Sequence, residues 1–329
     1  MQVPKSNSVE WKLLSRRKNH PEILSLESLS FLLVAHARLT IIIGTMKILM
    51  GCKSLHTLLL TGSFDRKAMP TDDDMVDFHG FQNLCFLSLV KCGLTGQITG
   101  WLSNLKNLEI LFLGNNQITG SISSWLGTLP KLFYVDLSLN QISGEFPKEL
   151  CRLPMLQVNA SLIDNYEFEL LIMNKPIKTL TSMPHGMFNF PGLIDLSVNN
   201  INGSIPTEIS QLQLLCELYL HSNNISSDIL NQISNLIYLE NLNLSTDNLS
   251  GKIPSFMTSL NFLSVFSVLY NNLQGQIPTS TQLQSFNDSS FEGNPKLCGA
   301  PLPNECREID QENKNNVYQY ADNECDELP

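Results

Sequence analysis

The side chains able to do chemistry are six histidines and eight cysteines in a chain of 329 residues. No histidine belongs to an HExxH pair or stands at zinc-ligand spacing from the cysteines, so metal-assisted hydrolysis has no ligand set to start from. Phosphate-cradling loops and GxSxG nucleophile turns are absent as well. The sequence predicts a protein that is not an enzyme and holds no cofactor or metal. Cys298 and Cys306 stand close together in FEGNPKLCGAPLPNEC, residues 291–306. They can staple a short loop, and a bridge there implies an oxidising compartment; two unrelated thiols are the alternative. Six Asn-x-Ser/Thr glycan acceptors (Asn159, Asn202, Asn224, Asn243, Asn248 and Asn287) crowd after residue 150 and suit an extracellular protein.

What positions these residues is a repeat. Aligned without gaps, LEILFLGNNQITGSIS (108–123), LFYVDLSLNQISGEFP (132–147), LCELYLHSNNISSDIL (215–230) and LENLNLSTDNLSGKIP (239–254) share the spelling LxxLxLxxNxLxGxIP. The inward-turning polar position falls at Asn116, Asn140, Asn199, Asn223, Asp247 and Asn271, 24 apart wherever the pattern is unbroken. That is a leucine-rich-repeat period. Divergent copies precede these, with Ala37, Ser63 and Cys92 at the same position, giving about nine repeats. Cys52, Cys85, Cys92, Cys151 and Cys216 fall in or beside the repeats and read as small buried thiols, while Cys325 is left over.

The expected fold is a leucine-rich-repeat solenoid: a right-handed superhelical arc with a parallel concave sheet of short strands and an irregular or 3-10 convex side. Leucines of each LxL point inward and the intervening residues point out from the concave face. The ladder Asn can donate to and accept from backbone groups of adjacent turns; Asp247 accepts but, when ionised, cannot donate. Outward positions include Ser88, Val90, Lys91, Phe112, Asn115, Asp136 and Leu139, then Asp195, Val198, Tyr219, His221, Ser267, Leu269 and Tyr270. Phe112, Leu139 and Tyr270 stand out because a solvated scaffold has little use for exposed apolar groups, against a reading of ordinary surface variation. Asn243 lies between Leu242 and Leu244 on a concave strand, where a glycan would block the face.

The formal charge of −10 is uneven. Residues 1–19 form an irregular basic start, with Lys5, Lys12, Arg16, Arg17 and Lys18 against Glu10, and residues 307–329 an acidic tail. With no basic stripe along the repeats, nucleic acid is not an expected partner. The segment MQVPKSNSVEWKLLSRRKNH lacks the apolar core of a secretion signal, and no run approaches the ~18 apolar residues of a membrane span.

Between Asn140 and Asn199 the chain runs 59 residues, which fits neither one period nor two. An insertion between adjacent repeats is the simpler arithmetic. The expected division is repeats over 20–150, an island insertion over 151–190, repeats over 191–290 and a C-terminal cap over 291–306. Within the insertion, NYEFELLIM alternates like a strand whose edge could pair with an extended peptide, with Tyr166, Phe168 and Leu170 on one alternation and Glu167, Glu169 and Leu171 on the other.

The LxGxIP spelling and the closing FEGNPKLCGAPLPNEC resemble the ectodomains of plant leucine-rich-repeat receptor-like proteins and receptor kinases. The stretch LSLESLSFLLVAHARLTIIIGTMKILMGCKSLHTLLL, the repeat WLGTLPKLFYVDLSLNQISGEFPKEL and the insertion NYEFELLIMN are similar to the group of phytosulfokine and tyrosine-sulfated glycopeptide receptors. That resemblance implies a plasma-membrane protein facing outward, with a secreted peptide on the concave face and island and a partner co-receptor kinase nearer the C-terminal repeats. It also implies a signal peptide, more N-terminal repeats and a membrane helix beyond the residues given, so that the chain reads as a fragment touching the membrane only through a missing C-terminal helix. The peptide-binding candidates are then Phe112, Asn115, Asp136, Leu139, Tyr166, Phe168 and Leu170, and the co-receptor-face candidates Tyr219, His221, Ser267 and Tyr270. A sulfated ligand would draw on Lys91, Arg152, Lys175 and Lys178. Competing readings are an immune receptor-like protein for a microbial elicitor and a secreted inhibitor of cell-wall hydrolases.

Overall fold

A computed structural model describes residues 28–76, 80–158, 190–280 and 282–306. Among the described residues nine short strands form one parallel sheet in strict chain order. They are β1 Phe31–Leu33, β2 Thr57–Leu59, β3 Phe86–Ser88, β4 Ile110–Phe112, β5 Tyr134–Asp136, β6 Leu193–Asp195, β7 Glu217–Tyr219, β8 Asn241–Asn243 and β9 Val265–Ser267. Strand order follows chain order because each coil is one repeat and can bury its leucines only against the coils before and after it. Leu111, Leu113, Val135, Leu137, Leu218 and Leu220 are all fully buried in the single core that runs the length of the stack.

The opposite side is made of 3-10 turns, including Gly100–Asn104, Ser124–Thr128, Thr207–Gln211, Asn231–Asn235 and Ser255–Ser259. Early in the chain the repeats are longer, and the first convex connection is instead an α-helix, Ile42–Leu49, burying Ile42, Met46 and Leu49 at helical spacing. Small two-stranded pairings line the flank where the chain leaves the concave face, such as Ser143–Glu145 with Asn200–Asn202.

The ladder is a continuous hydrogen-bond seam. Asn116 Oδ1 accepts from Cys92 N and Leu94 N (3.0 Å each), while its Nδ2 donates to Leu89 O (2.9 Å) and Leu113 O (2.8 Å). Asn140, Asn199, Asn223 and Asn271 reach the corresponding groups. Divergent copies keep part of the pattern: Ser63 Oγ donates to Val34 O (2.9 Å) and Cys92 Sγ to Leu60 O (2.9 Å). Asp247 keeps only the accepting half, taking Ile225 N at 3.0 Å, and its buried Oδ2 has no partner.

Across the long gap in the repeat, β5 pairs directly with β6 (Tyr134↔Leu193, Val135↔Ile194, Asp136↔Asp195). Asn199 carries the seam across it, with Oδ1 accepting from Ile142 N (2.9 Å) and Nδ2 donating to Leu137 O (3.0 Å). The boundary expected at 151 is displaced. Lys148–Arg152 and Pro154–Leu156 are 3-10 turns, and Cys151, Leu153 and Leu156 are buried, because LCRLPML continues the leucine spacing of the convex side. The fifth repeat thus extends through residue 158, and residues 159–189 lie outside those described.

At the far end Phe291 is fully buried and meets Phe266 edge-on (centroids 5.7 Å). Asn294 extends the seam into the cap, its Oδ1 accepting from Leu273 N (3.0 Å) and its Nδ2 donating to Val268 O (2.8 Å). Cys298 and Cys306 are joined by a disulfide. Cys52, Cys92 and Cys151 are buried, whereas Cys85 and Cys216 are only half-buried, because each directly precedes a concave strand rather than filling a core position. Cys325 is outside the described residues.

Candidate functional site

Each strand of the sheet sends two side chains outward, so parallel in-register pairing builds two rows along the concave face. One row reads Phe31, Thr57, Phe86, Ile110, Tyr134, Leu193, Glu217, Asn241 and Val265, and the other Leu33, Leu59, Ser88, Phe112, Asp136, Asp195, Tyr219, Asn243 and Ser267. The face changes character along its length. Up to β5 it is apolar and aromatic; from β5 to β8 it carries Asp136, Asp195, Glu217 and amides.

The apolar half is a cluster separate from the core. Leu59, Phe86 and Ile110 are buried there, flanked by Phe31, Leu33, Phe112, Phe133, Tyr134 and Phe190. Phe112 lies between Phe86 (centroids 5.5 Å) and Tyr134 (4.8 Å). Phe190, where the chain re-enters the described solenoid, meets the rings of Phe86 (5.8 Å), Phe112 (6.2 Å) and Tyr134 (5.1 Å) edge-on. Such ring pairs add about 0.5–1.5 kcal/mol beyond their buried area. The segment leaving the insertion is therefore anchored on the concave face across β3, β4 and β5.

Burial raises the Asp136 carboxyl, against the lowering effect of Ser138, and Asp195 beside it adds to the rise. Glu217 is raised by burial first, with the Tyr219 hydroxyl, which donates to its Oε2 at 3.1 Å, opposing. Both Tyr134 and Tyr219 are pushed up, chiefly by burial and then by the neighbouring carboxylates. Burial lowers His221, with Asp195 opposing, and its Nδ1 has no hydrogen-bond partner. Three acceptors share one local brace. Asp136, Asp195 and Asn243 each use Oδ1 to accept from the backbone N and hydroxyl of the serine two residues on, Ser138, Ser197 and Ser245.

The residues just before the ladder position adopt left-handed backbone: Lys91, Asn115, Leu139, Val198, Ser222, Thr246 and Tyr270, with φ between 53° and 59° for all but Tyr270 at 51°. This tight turn throws their side chains outward. Leu139 is 48% exposed, Val198 37% and Tyr270 57%.

Of the expected peptide-binding residues, Phe112 and Asp136 are register neighbours, and Asn115 and Leu139 lie on adjacent turns beside them. Tyr166, Phe168 and Leu170 lie outside the described residues. Among the expected co-receptor residues, Tyr219 and His221 meet edge-on (6.5 Å), while Ser267 and Tyr270 stand two repeats further on beside the cap. Ser88 does not reach solvent: at 5% exposure it is walled in between Leu59 and Phe112 in the same row. Of the residues a sulfated ligand would draw on, two are described. Lys91 is on the concave rim, Arg152 sits on a convex 3-10 turn, and Lys175 and Lys178 are outside the described residues. Asn202, Asn224, Asn248 and Asn287 are exposed, Asn243 is half-buried in the sheet, and Asn159 is not described.

Sequence reading missed Phe86, Ile110, Tyr134 and Glu217, which occupy the first outward position of each strand. Period-two alternation carried one step earlier in each repeat identifies them. Among the described residues no group of three His, Cys, Asp or Glu is placed to hold a metal, and no helix is long and apolar enough to cross a membrane.

Stacked coils, a parallel concave sheet and a ladder of mostly asparagine side chains define a leucine-rich-repeat solenoid, and the family profile described as Leucine rich repeat matches residues 82–142. The chain carries leucine-rich repeats and has their fold. It is 54% identical over 290 residues to Receptor-like protein 3 of Arabidopsis thaliana, covering 87% of this chain and 38% of that protein. It also matches Phytosulfokine receptor 1 of the same plant, at 38% identity over 90 residues (27% of this chain, 8% of the receptor). A solved structure of the Arabidopsis receptor kinase HAESA, in complex with the peptide hormone IDA and the co-receptor SERK1, aligns with 85% of this chain and 43% of that one (TM-score 0.58, 25% identity). The chain thus spans well under half the length of Receptor-like protein 3.

Proposed function

We propose that this chain is the ligand-perceiving part of a plant cell-surface receptor-like protein. It binds a secreted peptide along the concave face and signals through a partner receptor kinase. The observation that carries this reading is the half-exposed aromatic wall of Phe112 and Tyr134, bridged by Phe190 at the return of the insertion. A scaffold coil needs no outward aromatics, and a groove that binds chain segments does. The likeness to Receptor-like protein 3 and the peptide seated in the HAESA complex support it. The co-receptor kinase would dock nearer the C-terminal repeats.

The test is calorimetric binding of the glycosylated full chain to secreted-type peptides, sulfated and unsulfated. Binding to at least one peptide that Phe112→Ala and Tyr134→Ala each weaken supports the reading. No binding to any peptide by a sample that melts cooperatively refutes it.

A further inference from the structure

We propose that the concave face takes a peptide carrying Arg or Lys, setting that cation among Asp136, Asp195 and Glu217 and laying a neighbouring apolar residue on the wall formed by Tyr134, Phe112 and Phe190. This rests on the receptor reading above and names the chemistry of its ligand.

The fold does not need the two aspartate charges. The serine brace uses a single acceptor oxygen, and Asn243 makes it with a neutral amide, at 3.1 Å to Ser245 N and 2.7 Å to its hydroxyl. Ser267 fills the same row in the last repeat. Asp136 and Asp195 are nonetheless register partners on adjacent strands. Neighbouring strands lie ~4.8 Å apart, where side-by-side like charges are destabilising. Glu217 stands on the next strand, close enough to act on both tyrosines and to feel Asp195. Among the described residues no Lys or Arg occupies an outward position of β5 to β9 to neutralise them. The nearby His221 is held toward its neutral form by burial.

The surroundings suit a cation in a second way. Tyr134 and Tyr219 flank the carboxylates, and aromatic faces attract guanidinium and ammonium groups, more so when water is excluded. Burial that raises Asp136 and Glu217 is relieved by a bound cation and worsened by an anion. The contiguous apolar wall fixes the order of the ligand: basic side chain toward β6 and β7, apolar neighbour toward β4 and β5. Sulfotyrosine or acidic residues would be repelled there.

The test screens the glycosylated full chain against displayed random peptides, then measures synthetic copies of those selected. The comparison protein is Asp195→Ser with Glu217→Gln; serine is used because asparagine at 195 would write a new Asn-Leu-Ser acceptor with Leu196 and Ser197. Expected are peptides enriched in Arg or Lys beside an aromatic or Leu. They should bind the double variant at least ~10-fold more weakly and lose affinity as salt is raised. Selected peptides without basic enrichment, or basic peptides that bind both proteins alike, overturn the proposal and leave the receptor reading standing. No selected peptide at all, from a protein that melts cooperatively, removes that reading and this proposal together.

Discussion

Asp247→Asn should stabilise the protein, and by an amount that depends on pH. Asp247 occupies a ladder position where Asn223 donates from Nδ2 to Leu196 O (3.0 Å) and Leu220 O (2.7 Å), and Asn271 to Leu244 O (2.8 Å) and Val268 O (3.1 Å). By the same spacing an amide at 247 would reach Leu220 O and Leu244 O. The carboxylate instead turns an acceptor toward acceptors, leaving Oδ2 buried and unpartnered. Burial outweighs the backbone bonds from Ile225 and Asn223 and raises the carboxyl from 3.8 to about 7. Converted in full that rise is about 4 kcal/mol. Partial solvent access reduces it, and a gain of about 1–3 kcal/mol matches what restoring a buried donor is worth.

The sign follows from the raised value. Below about pH 3.8 the carboxyl is protonated in both folded and unfolded chains, and stability is at its highest from this group. Between 3.8 and about 7 the unfolded chain ionises while the folded one holds its proton, so stability falls; above that range it is level. The advantage of the Asn variant should thus be small near pH 4 and widen to a plateau above about 7. Thermal melts of parent and variant across that range measure it, with an expected gain on the order of 2–8 °C at the plateau. An unchanged or lower melting temperature at pH 7.5, or a difference that does not vary with pH, would falsify the ladder account.

Three further outcomes follow from the packing. Val198 is a β-branched residue at φ 54°, so Val198→Asn should raise stability by about 0.5–1 kcal/mol, read as a shift in the denaturant midpoint. A Cβ on Gly127 would collide with the Glu149 carbonyl on the next convex turn, so Gly127→Ala should cost about 1–3 kcal/mol and lower the melting temperature; no change would mean that the convex turns can part. Asn294→Ala strips the buried donor and acceptor that tie the cap to Val268 and Leu273, and should make the region after residue 270 exchange amide hydrogens faster while the first repeats keep their protection.

Much of this structure could be read directly from the spelling of the repeat. The 24-residue period places the strands, the buried leucines and the ladder from Asn116 to Asn271, because the core of each coil packs on the adjacent copies. The placement of the gap also followed from arithmetic, and β5 to β6 pairing agrees with an insertion between adjacent repeats. What could not be read lies where the repeat spelling lapses. FEGNP does not spell the consensus, which hid Asn294 as a ladder residue, and LCRLPML looked like insertion while its leucines still faced the core. The aromatic wall was half seen. Phe112 was evident, but Phe190 joins it only through the tertiary return of the chain, which no period describes.

The β5–β6 junction has a consequence for how such a protein can change. Its sheet register and its asparagine seam close across residues 159–189 as they do between any two neighbouring coils. Closing a longer loop there costs only about 0.6 kcal/mol per doubling of its length. A change of length between those two coils therefore adds little closure entropy to the β5–β6 pairing, while Phe190 ties the point where the described chain resumes to the same face of β3, β4 and β5.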